Sequence, residues 1–181
     1  SVNSNFLLFA YFTALLKTGY VGIADEIVDS TPRVKIIYGL LMLSCHQGHQ
    51  AFQIAEGLSV QSLEMSDENL VLYRYLMFLL AINHENWELA KSIISGSHFS
   101  RLTFKQRNEL LALGGALELR VLAALGAPQT FDERLKQLTQ NSSPQMATET
   151  DYHFFGRSVT QREVSIWRLL ACNDWQSIAS E

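Results

Sequence analysis

"LLAINHENWELAKSII", residues 79 to 94, is echoed by "LLACNDWQSIASE" at residues 169 to 181. Both carry Leu-Leu-Ala-x-Asn, a short polar turn and then a tryptophan. Read as copies, they are the end of one helix, a corner and the start of its hairpin partner. That reading makes the chain an assembly of helix-turn-helix units, and it decides the fold.

Laying residues 38 to 58 over residues 73 to 93 extends the repeat. Tyr38 meets Tyr73, Leu41 meets Leu76, Met42 meets Met77, Phe52 meets Trp87, Ala55 meets Ala90 and Leu58 meets Ile93, all at an offset of 35. An upstream version, "YVGIADEIV", places Ala24 31 positions before Ala55, so the first interval is shorter. A small alanine thus recurs in the second helix of each unit. Its physical use is close approach, since a small side chain lets antiparallel helices pack tightly while the aromatic residue one turn earlier fills the space beside it.

The rest of the chain reads as helix. Only three prolines occur, at 32, 128 and 144, and long stretches of Leu, Ala, Met, Glu and Gln favour helix over strand. Breaks fall at residues 17–22, 29–33, 46–50, 57–69, 83–86, 95–103 and 126–128, each rich in residues that turn or cap. They divide the first 140 residues into about eight short helices. Residues 141–158 are polar and turn-rich and read as a connector. "TQRE" at 160 to 163 is a capping-box signature, in which the Thr160 hydroxyl accepts from the Glu163 amide while the Glu163 carboxylate reaches back. A C-terminal helix is therefore expected within 159–181, with Val164, Trp167, Leu170 and Ala171 on one stripe, either capping the array or opening a truncated repeat.

Residues 5 to 125 resemble tetratricopeptide-like helical hairpins, whose period is about 34 residues. The resemblance implies an all-α chain of antiparallel helix hairpins stacked in a short right-handed array over residues 1–140. Bulky Phe12 and Phe78 stand where that family has a small first-helix residue. A narrower likeness joins "LMLSCHQGHQAFQIAEGL" with "LALGGALELRVLAALG". Together they are similar to bacterial type III secretion chaperones of the tetratricopeptide class that hold the needle subunit, whose Leu-x-x-Gly-x-Ala-Leu-x-x-Arg-Leu stretch is matched by Leu111 to Val121.

If Ala24, Ala55 and Ala90 mark one point in three hairpins, the resemblance puts Phe6, Phe9, Leu16, Ile37, Leu40, Leu72, Tyr75 and Leu79 on the first-helix positions that line a concave groove. Such a groove suits an amphipathic helix from a partner protein, with anchors at i, i+3/i+4 and i+7. The alternative is that the same residues are core in a compact bundle.

Bulk properties narrow the classes. Hydrophobic residues make up 48% of the 181 and charged ones only 18%, so apolar surface is left for a partner to cover. A formal charge of −4 argues against a general binder of nucleic acid or anionic membrane, which needs a net basic face. Two cysteines, Cys45 and Cys172, make no disulfide framework and fit a reducing, cytoplasmic compartment. The apolar runs Phe6 to Leu16 and Leu70 to Ile82 fall short of the roughly 20 residues a spanning helix needs, and the second contains Arg74. The first also lacks the basic flank of a signal peptide.

Candidates for chemistry do not assemble. Cys45 and His49 are four apart, with His46 between them, but no second ligand pair completes a zinc site. "HENWE" at 84 to 88 lacks the second histidine of H-E-x-x-H. There is no nucleophile elbow, P-loop or dinucleotide fingerprint, and "ALGGAL" sits inside an apolar helical pattern where the glycines serve packing or a kink. Asp25 with Glu26 and Asp67 with Glu68 fall near helix ends, and the latter pair favours a helix start through its dipole. The expected function is a non-catalytic module, without cofactor or metal, that acts as a chaperone or adaptor for an apolar helical segment. The alternative is a sensor or regulatory helical-repeat domain of a larger protein, such as a transcriptional regulator.

Overall fold

The computed structural model describes residues 10–15, 30–59, 65–95, 103, 106, 116–140 and 161–179, and all the regular structure among them is helical. The helices are α1 (Pro32–Ser44), α2 (Gly48–Ser59), α3 (Asp67–Asn83), α4 (Trp87–Ser95), α5 (Pro128–Gln140), α6 (Gln161–Ala171) and α7 (Trp175–Ile178). Residues 10–15 and 116–124 are also helical. The chain divides into two compact units, Ser1–Asn83 and His84–Glu181.

In the first unit α1 packs on α2 and α3, and α2 packs on α3. Pro32 opens α1, where a missing N–H is harmless and the ring presets φ. Every residue from Ile36 to Met42 is buried, a run longer than one helical turn, so α1 is covered on all sides. α3 is similar, with Val71, Leu72, Tyr73, Tyr75, Leu76, Phe78, Leu80, Ala81 and Ile82 all buried. By contrast α2 buries only Ala51, Ala55 and Leu58, spaced along one face. Each large apolar side chain so enclosed contributes about 1.5–3 kcal/mol relative to exposure. Gly39 permits the close approach of α1 to α3, because a methyl group there would lie 3.0 Å from Leu76 Cδ2. The Tyr73 hydroxyl donates to the Ala55 carbonyl at 3.3 Å and ties α3 to α2. Phe12, in the helical stretch 10–15, meets Tyr38 edge-on at 5.5 Å between ring centroids.

In the second unit α4 buries Ala90, Ile93 and Ile94, and residues 116–124 bury Ala116, Leu117, Leu119, Val121, Leu122 and Ala123. α5 is polar along most of its length and, among its described side chains, sinks only Phe131 fully. α5 packs on α6, and α6 on α7. Arg134 Nε donates to Glu118 Oε2 at 2.6 Å, and Arg168 makes a two-pronged pair with Asp132 at 2.8 and 3.1 Å. A capping box is present at Thr103 and Gln106: the Gln106 amide donates to Thr103 Oγ1 at 3.3 Å and the Thr103 amide to Gln106 Oε1 at 2.7 Å. The box expected at residues 160 to 163 lies partly outside the described residues, and α6 begins within it, at Gln161.

A single corner geometry recurs through both units. Among the described residues the left-handed backbone positions are His46, Glu85, Gly126 and Asn173, at φ 60°, 56°, 63° and 57°. Each stands two residues before a helix start, those of α2, α4, α5 and α7. At three of them the same bonds close the preceding helix. His46 N–H donates to Leu43 O and Gln47 N–H to Met42 O; Gly126 N–H donates to Ala123 O and Ala127 N–H to Leu122 O; Asn173 N–H donates to Leu170 O and Asp174 N–H to Leu169 O. These bonds satisfy carbonyls that a helix end otherwise leaves open. At two corners the next residue also caps the following helix through its side chain. Asn86 Oδ1 accepts from Leu89 N–H and Asp174 Oδ1 from Ser177 N–H, both at 3.2 Å.

The corners correct the register of the repeat. From His46 to Glu85 is 39 residues, not 35, and the next intervals are 41 and 47. Aligned on the corners, Ala90 matches Ala51 rather than Ala55, and both are wholly buried five residues past the left-handed position. Phe131 holds that place after Gly126 and is also wholly buried. Ala24 lies outside the described residues.

Candidate functional site

Ile37 and Leu40 on α1, and Leu72 and Tyr75 on α3, are all buried, with Ile37 and Tyr75 fully enclosed. Leu79 is partly covered. Phe6, Phe9 and Leu16 lie outside the described residues. The four buried residues belong to the packed interior of the first unit. Their own helices, α1 and α3, pack on each other within the first unit.

Burial has electrostatic consequences there. It alone pushes the Tyr75 phenol far up, and with Cys45 beside it raises Tyr38. Tyr73 is raised by burial against the opposing charge of Arg74. Burial also brings the Arg74 guanidinium down to about 10, which the Tyr73 phenol counters. Neutral, enclosed phenols of this kind fill space and donate hydrogen bonds.

The polar clusters singled out by sequence are dispersed by the corners. Cys45 is the exposed residue that ends α1, His46 is left-handed, and His49 Nε2 lies 3.2 Å from Gln53 Nε2 on the polar face of α2. No group of three or more His, Cys, Asp or Glu side chains among the described residues could hold a metal ion. His84 and Glu85 sit in a corner and Trp87 opens α4, so "HENWE" does not lie on one helix. Cys172 is exposed and occupies in its corner the place that Cys45 has in the first. No helix among the described residues is long and apolar enough to cross a membrane.

What the surface does offer is aromatic. Tyr11, Phe52 and Trp175 are large and exposed. Phe52 rises from the polar face of α2, one residue from Gln53 and four from Glu56. Trp175 occupies the position in its corner that Trp87 has in another. Arg120 lies over the Trp87 ring at 5.7 Å from the centroid, whereas Trp175 is 64% exposed. The groove reading missed these side chains because it followed the apolar stripe. The legible signal was an aromatic residue off that stripe, as at Phe52, or directly after an N-cap, as at Trp175.

Comparison with protein-family models, with curated proteins and with solved structures finds no match to this chain.

Proposed function

We propose that this chain is a non-catalytic protein-binding module of the helical-repeat kind, serving as an adaptor or chaperone for an amphipathic helical segment of a partner. The observation that carries the reading is the recurrence of one corner at His46, Glu85, Gly126 and Asn173. Recurrence of a helix-corner-helix geometry is the hallmark of helical-repeat proteins, a class that builds extended binding surfaces. Covering an apolar segment would lower its free concentration and hold back its self-association by mass action. The narrower form, a chaperone for a type III secretion component, rests on the likeness of Leu111 to Val121 in sequence.

With Ile37, Leu40, Leu72 and Tyr75 enclosed, a partner that leaves the first unit intact would meet exposed side chains instead. Phe52 and Trp175 are the positions to probe, each in its own unit, because large aromatics dominate binding energy when a partner desolvates them. The test is purification of the tagged chain from its host under native conditions, with light scattering to give the stoichiometry of whatever protein is retained. A partner held at a fixed ratio, and an affinity reduced about tenfold or more by Phe52→Ser or Trp175→Ser with helical circular dichroism unchanged, supports the reading. Recovery of the chain alone contradicts it. A partner held equally well by both variants refutes this choice of surface.

A further inference from the structure

We draw no further inference here: the strongest candidate, the exposed Trp175 that opens α7 and stands where Trp87 is covered by Arg120 in another corner, is an uncovered aromatic surface, and nothing in the structure shows what covers it.

Discussion

Glu85 and Asn173 occupy the same place in two helix corners: both are left-handed, at φ 56° and 57°, and both stand two residues before a tryptophan that opens the next helix. Their side chains differ in how well they tolerate that backbone. Asparagine and histidine visit the left-handed region more readily than glutamate, and glycine does so without strain.

The corner therefore predicts opposite signs for matched substitutions. Glu85→Gly should stabilise the protein by about 0.5–1 kcal/mol through relief of the left-handed backbone, and His46→Gly by less. Gly126→Ala should destabilise by about 1 kcal/mol, although a methyl group at Gly126 would meet nothing within 4 Å. Urea unfolding followed by circular dichroism measures all three. A destabilising Glu85→Gly would count against the shared geometry.

Two helical glycines should also respond oppositely, for reasons of packing. At Gly57, in α2, an added methyl group faces open space, so Gly57→Ala should stabilise by about 0.5–1 kcal/mol through helix propensity. At Gly39 the methyl group would press on Leu76, which is fully buried. Gly39→Ala should destabilise by about 1–2 kcal/mol, overpacking outweighing propensity. Equal gains at both positions would mean that α1 and α3 are not in close contact.

The ion pairs of the second unit differ in exposure, and that decides their worth. Arg134 and Glu118 have side chains 18% and 17% exposed, against 58% and 49% for Arg168 and Asp132. Glu118→Gln should destabilise by about 1–2 kcal/mol, because it leaves a largely covered guanidinium without its charged acceptor. Asp132→Asn, in a screened surface pair, should leave the unfolding midpoint within error of the parent. Thermal or urea denaturation of the two variants side by side checks the contrast.

Stability should fall at high pH. Tyr38, Tyr73 and Tyr75 ionise above the ordinary phenol value of 10.0 in the folded chain because burial disfavours the phenolate. Below that value both folded and unfolded states keep the proton and the contribution is complete. Above it the unfolded state releases its protons first, and the contribution is lost as pH rises through the raised folded values. Ionisation of these phenols, followed by ultraviolet absorbance, should coincide with loss of helical circular dichroism. Tyr75→Phe should move the alkaline midpoint upward. Complete phenol ionisation in a chain still fully helical would contradict the burial.

Helical class and several boundaries were legible because the breaks at 46–50, 83–86 and 126–128 carry strong turn chemistry, and each became a corner. Register was not. A shift of four residues is close to one helical turn, so apolar patterns match almost as well at an offset of 35 as at the 39 that superposes His46 on Glu85. The opening echo shows the same ambiguity within one motif. Trp87 and Trp175 are equivalent, but Leu79-Leu80-Ala81 lies two residues farther from its tryptophan than Leu169-Leu170-Ala171 does. Asn83 closes α3 whereas Asn173 is the left-handed residue, so half of the echo is structural and half coincidence. Gly57 opens a turn-rich stretch in the sequence, yet α2 continues through it to Ser59, with the next residue, Leu58, fully buried and anchoring that turn. The groove could not be told from core by periodicity alone, although the unbroken buried run Ile36 to Met42 already covers more than one face of α1.

The most direct test of the repeated corner is a measurement of backbone φ at His46, Glu85, Gly126 and Asn173 by nuclear magnetic resonance couplings and chemical shifts in the intact chain. A positive angle is expected at all four, each followed two residues later by the start of a helix. Right-handed helical angles running uninterrupted through His46, Glu85 or Asn173 would contradict it.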